Sequence, residues 1–158
     1  MEEIVGTTVN TAGRSGNDSK NSFEMIANTL FQLINKDIMM LCFDLDHTLL
    51  PLYCYEDTCP PYARIEVENS NEYLVEYTSR KTGQRKQISL NSEVLHIIQY
   101  CHQLNIKMSL CSKCQVASSA KDMLSALGIW DYFIFPQVYN KRKTTHFKML
   151  KGKFTGVM

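Results

Sequence analysis

The sequence predicts an α/β fold, with a parallel sheet as the middle of three layers and a small antiparallel insert. Three observations carry that expectation. The apolar run Ile38-Met39-Met40-Leu41-Cys42-Phe43 has the length and composition of a buried strand and stops at Asp44. Beyond residue 90, segments with helical periodicity alternate with short apolar runs. Between them, residues 52–90 are polar with alternating apolar positions, the mark of half-buried antiparallel strands. Strands that alternate with helices imply parallel pairing through right-handed crossovers.

In chain order, residues 1–20 are rich in Gly, Ser, Thr and Asn and bury too little to offset ordering entropy, so disorder is expected there. Residues 21–158 form the expected domain. It opens with a helix over 21–36, where Asn21 caps, Glu24 stands in capping-box register, and Phe23, Ile26, Leu30 and Leu33 share a face. Strand one spans 38–44. A β-hairpin insert or flap fills about 52–90, its strands 64–68 and 73–77 joined at Asn69-Ser70-Asn71 and a third starting near Lys86 after Thr82-Gly83-Gln84. A helix over 92–104, capped by Asn91, buries Val94, Leu95, Ile98, Cys101 and Leu104. Strand two covers 106–111 and ends at Ser112. The helix over 116–127 stops at Gly128, a residue suited to the left-handed position after a helix end. A short strand, 133–135, ends at Pro136, and a last helix begins near Thr145 with Phe147 and Leu150 inward.

The composition bounds the function. A length of 158 residues supports one domain with a real core, and a net charge of +1 gives no bias toward nucleic acid or anionic membranes. The clusters Arg80-Lys81, Arg85-Lys86 and Lys141-Arg142-Lys143 are short and read as solvated charge. No run approaches the ~20 apolar residues of a membrane span. Met1-Glu2-Glu3 is no secretory start, so a cytoplasmic location is expected, with a nuclear one as the alternative. Without secretion, six cysteines do not predict a disulfide framework. Cys111-Ser112-Lys113-Cys114 with Cys54 and Cys59 has the minimal count for a zinc site, but a single C-x-x-C is a weak signal.

The chemistry concentrates in Asp44-Leu45-Asp46-His47-Thr48-Leu49-Leu50-Pro51. Side chains at i and i+2 of a strand share a face, so Asp44 and Asp46 converge at the carboxyl edge of the sheet, where open α/β folds bind ligands. Paired carboxylates suit phosphoryl transfer: one attacks phosphorus and the other moves a proton at the bridging oxygen. The octet resembles the first motif of the haloacid-dehalogenase-like phosphohydrolases, D-x-D-x-[TV]. Its Leu-Leu-Pro tail, the Pro60-Pro61 pair, Leu127-Gly128 and Lys143-Thr144-Thr145-His146-Phe147 are similar to the small magnesium-dependent phosphatases of eukaryotes.

The resemblance covers roughly residues 38 to 156 and implies a Rossmann-like sheet of the haloacid-dehalogenase type with the insert as a small cap. It implies Mg²⁺-dependent hydrolysis of phosphomonoesters, either phosphotyrosine and other aryl phosphates or sugar phosphates. Asp44 becomes the nucleophile and Asp46 the acid–base residue. The Asp44 carboxylate and the Asp46 backbone carbonyl become metal ligands. Ser112 and Lys113 bind phosphate, and Lys143 balances its charge. On the residues themselves, Thr145-His146 is expected to cap the last helix, with His146 as a catalytic base the weaker alternative. The family also carries a fourth, acidic motif on a strand beside strand one. No acid follows Asp131 in this sequence, so the resemblance implies a chain truncated before that motif, with an open edge on strand one. The alternative function is a catalytically impaired isoform that acts as a binding or interaction protein.

Overall fold

The structure, a computed structural model, describes residue 29 and residues 40–155 apart from 69, 71 and 92, with the side chains of 154 and 155 excepted. The expected disorder over 1–20 and, but for residue 29, the helix over 21–36 lie outside the described residues. The remainder is an α/β arrangement with two sheets. Strands β1 (Leu41–Phe43), β5 (Met108–Ser112) and β6 (Gln137–Val138) form a parallel sheet in the order β1-β5-β6. Strands β2 (Thr58–Glu66), β3 (Tyr73–Ser79) and β4 (Arg85–Ile88) form an antiparallel one in sequence order. The helices are α1 (Cys54–Asp57), α2 (Val94–Gln103), α3 (Ala117–Ala126) and α4 (Lys143–Thr155), with a 3₁₀ turn at Trp130–Tyr132.

β5 is central, and all five of its residues are buried. β1 pairs with it in parallel register, Leu41 opposite Met108 and Phe43 opposite Leu110. α4 packs on β5 and β6 through His146 and Leu150. Leu45, Leu49, Leu50, Ile98, Met108, Leu110, Met123 and Leu124 are all at most 1% exposed and form one core. Each buried aliphatic side chain of this kind contributes about 1.5–3 kcal/mol.

Four expectations are corrected. Leu104, expected in the buried stripe of the second helix, is exposed, because α2 ends at Gln103 and the chain leaves it through Asn105, left-handed at φ 55. The strand over 133–135 reduces to a single bridge between Phe133 and Met108. Phe135 has φ 50 and Pro136 offers no amide, so the ladder breaks and resumes as β6, where Cys111 faces Gln137. Asn91 does not cap α2. Its side chain donates to the Thr48 carbonyl at 2.8 Å, and the residue before the helix is Glu93, left-handed at φ 69. The last helix starts at Lys143, not near Thr145. That leaves His146 within the helix, fully buried, rather than at its cap.

The antiparallel sheet docks on the end of α3. Arg64 donates to the carbonyls of Ala126 (2.8 Å) and Ser125 (2.6 Å) in the last turn of α3, and lies over the Tyr73 ring. Gly128 makes this approach possible. Its φ is +75, and a Cβ there would stand 2.8 Å from the Tyr73 ring. Gly128→Ala therefore meets both a left-handed penalty of about 1–2 kcal/mol and an overpacking cost of similar size. Calorimetry should show a loss of about 2–4 kcal/mol, a drop of roughly 5–15 °C for a chain of this size. A loss below about 1 kcal/mol would mean that the flap does not press on this turn.

Candidate active site

Where β1 ends, the chain alternates once more before it turns. Leu45 points into the core with no exposure, and its neighbours Asp44 and Asp46 point the other way into a cavity of about 530 Å³. The turn that follows is held by backbone. The amides of Thr48, Leu49 and Leu50 all donate to the Leu45 carbonyl, and His47 is left-handed at φ 53. The Leu49 carbonyl accepts the Asn91 amide, which ties the turn to the start of α2. Both carboxylates are thereby fixed on a rigid element, as precise chemistry requires.

Asp44 Oδ1 accepts the Leu45 amide at 2.9 Å and faces Lys143 Nζ at 2.6 Å. Lys143 also donates to the Cys111 carbonyl at the tip of β5, so it is held from two strands. Asp46 Oδ1 accepts the Cys54 amide at 2.8 Å. These contacts all use Oδ1, and both acids line the cavity. Burial raises the Asp46 carboxyl above the usual range, and the nearby Asp44 adds to that, against the opposing pull of the Cys54 amide. A shift in this direction favours a proton donor.

Ser112 closes β5. It is 1% exposed, and its hydroxyl has no hydrogen-bond partner among the described residues. A buried orphan hydroxyl costs about 1–3 kcal/mol, so one that lines a cavity is a mark of a ligand position. Lys113 is exposed at the rim and Lys143 stands half-exposed within it. Asp44, Asp46, Ser112, Lys113 and Lys143 thus line one cavity, although the sequence spreads them over 100 positions, from 44 to 143.

The sequence reading missed part of the cavity's lining. Tyr53, Tyr55 and Glu56 supply it from the segment around α1, with His47 edge-on to Tyr53 at 4.4 Å between centroids. A four-residue helix carries no periodicity, so only its closeness to the octet could have flagged it. β2–β4 contribute no lining residue; the lead-in to the insert does. Asn140 and Gln115 complete the rim. His146 lies one layer deeper. Its Nε2 meets the Tyr139 carbonyl at 3.2 Å, its Nδ1 has no hydrogen-bond partner among the described residues, and burial holds its imidazole below the usual range.

Two hard oxygen donors on an open cavity suit magnesium, which keeps several waters and binds one or two carboxylates with substrate phosphate. No group of three His, Cys, Asp or Glu side chains able to hold a metal gathers among the described residues. Cys111 and Cys114 do not act as a pair: the Cys111 thiol meets Cys42, while Cys114 neighbours Cys54. Burial pushes the Cys54 thiol up to about 12 and raises Cys114, which keeps both protonated and poor as ligands.

Comparison with known proteins agrees with this geometry. Human magnesium-dependent phosphatase 1 is 27% identical over 115 residues, which cover 73% of this chain and 59% of that protein, so the chain spans less than two thirds of this relative's length. The acid phosphatase family model matches residues 38–157, a stretch that runs from strand one through α4 and takes in every residue of the cavity. The chain therefore belongs to the acid phosphatase family.

Proposed function

We propose that the chain hydrolyses phosphomonoesters through a covalent phosphate on Asp44. The observation that carries this reading is the convergence of two carboxylates, an unpartnered buried hydroxyl and a lysine ammonium on one cavity. Asp44 attacks phosphorus and forms an O–P bond as the bond to the leaving oxygen breaks. Asp46, its carboxyl raised by burial, gives that oxygen a proton. Asp46 then takes a proton from the water that attacks the acyl phosphate, which frees Asp44 and releases phosphate. The Ser112 hydroxyl donates to a phosphoryl oxygen, as its missing partner requires. Lys143 offsets the negative charge that builds on Asp44 and phosphate, and Lys113 adds a cation at the rim. Magnesium, on the Asp44 carboxylate and the Asp46 backbone carbonyl, would neutralise the phosphoryl oxygens.

The aromatic wall of Tyr53, Tyr55 and His47 favours aryl phosphates, phosphotyrosine among them, over sugar phosphates, since rings gain from edge and offset contacts. The test is p-nitrophenyl phosphate with the purified chain. Phosphate release should require Mg²⁺, vanish on chelation and return when the metal is restored. Saturable phosphate binding with no release at any Mg²⁺ concentration would instead favour the non-catalytic, interacting chain.

A further inference from the structure

The antiparallel sheet supplies no side chain to the cavity, yet it is fastened to residues that do. α1, which carries Tyr55 and Glu56, has four residues and follows Tyr53, whose side chain makes no cap. A helix of one turn does not hold itself in water, so its neighbours must fix where these rings stand. One anchor is the Cys54 amide on Asp46. The other is Arg80, the first residue of the turn between β3 and β4.

The sequence reads Arg80 as solvated charge, but the residue is engaged at every donor group that points toward α1. Its amide donates to the Asp57 carbonyl at 2.9 Å. Its Nε donates to the Tyr55 carbonyl at 2.9 Å and its Nη2 to the Thr58 carbonyl at 3.1 Å. Its guanidinium carbon lies 4.7 Å from the centre of the Tyr55 ring. One side chain thus holds both the backbone and the ring of a cavity residue. Lys81 meets Asp57 at 2.5 Å, but its side chain is 72% exposed, so that pair is screened and adds little. Lysine cannot replace Arg80, because only a planar guanidinium donates to two carbonyls while it stacks on a ring.

We infer that Arg80 is a positioning residue for substrate choice: its side chain, which does not itself line the cavity, holds Tyr55 in place there and so sets the preference for an aryl over an alkyl group on the phosphate. This role deepens the phosphatase reading and rests on it for where the phosphate sits. The rival account makes Arg80 a fastener of the sheet alone. Arg64 is the control for that account. It also donates to two carbonyls and lies over a tyrosine ring, but Ser125, Ala126 and Tyr73 line no part of the cavity.

The test compares phenylphosphonate with ethylphosphonate, neither of which has an ester bond to cleave. Affinities are read by titration calorimetry on the full chain with Mg²⁺ present, at a temperature where circular dichroism shows each variant folded. The unsubstituted chain should bind phenylphosphonate more tightly. Arg80→Ala, and Arg80→Lys, which keeps the charge and loses the fork, should each weaken phenylphosphonate about tenfold, the size of an aromatic contact, and ethylphosphonate less than about twofold. With Tyr55→Leu in place, Arg80→Lys should change the ratio of the two affinities no further. Arg64→Ala should lower the melting temperature and leave that ratio as it was. Equal losses on the two ligands, an unchanged ratio in folded Arg80→Lys, a further change in the Tyr55→Leu background or a matching change in Arg64→Ala would overturn the inference. So would an unsubstituted chain without preference for the phenyl compound. Absence of p-nitrophenyl phosphate turnover in the unsubstituted chain would sink the phosphatase reading alone, because the affinity ratio needs no turnover.

Discussion

Asp44→Asn should abolish phosphate release, with a loss of at least about 10³-fold, or about 4 kcal/mol of barrier. An amide oxygen is a poor nucleophile toward phosphorus, and no neighbouring group can take its place in line. Asp46 is committed to the Cys54 amide on the far side of the turn. The substitution is nearly isosteric and keeps an oxygen for the Leu45 amide. It removes the ion pair with Lys143, but both partners are 42% exposed, and pairs in that setting contribute about 0–1 kcal/mol. Activity should therefore vanish while the melting temperature stays within a few degrees. Acid-quenched enzyme should also hold no covalent phosphate. Retained turnover in the folded variant would remove Asp44 from the chemistry.

The parts of the site that the sequence disclosed are those where one local rule decides the outcome. Asp44 and Asp46 were legible because a strand alternates, and the buried Leu45 between them confirms the phase. Ser112 was legible as the last residue of an apolar strand, and Gly128 as a helix stop. What failed was decided by distant contacts. Asn91 has the chemistry of a cap, but the Thr48 carbonyl claims its side chain from 43 positions away. Phe133-Ile134-Phe135 has strand composition, but Phe135 is left-handed and Pro136 has no donor, so the pairing moves to Gln137–Val138. Thr145 has the chemistry of a helix start, but its amide already bonds the Arg142 carbonyl, and the helix is under way by then. The aromatic wall was invisible because Tyr53 and Tyr55 become cavity residues only when the Cys54 amide bonds Asp46.

Asp46→Asn separates the two proton transfers of the proposed reaction. The first gives a proton to the leaving oxygen, and its importance depends on that oxygen. A nitrophenolate leaves without help, whereas an alkoxide does not. The second takes a proton from water and does not depend on the substrate. Loss of a positioned acid or base costs about 10²–10⁴-fold where the transfer matters. An alkyl phosphate should therefore lose turnover by about that factor already in the first step. With p-nitrophenyl phosphate the first step survives and the second stalls, so nitrophenolate should appear as a burst equal to the enzyme present, followed by slow release. The burst is the decisive signature, because a simple loss of folding or of phosphate binding lowers both substrates alike and produces none. It must also disappear in the Asp44→Asn, Asp46→Asn double variant, since no carboxylate is left to hold the phosphate. Equal losses on aryl and alkyl substrates without a burst would show that Asp46 positions the turn through Cys54 and moves no proton.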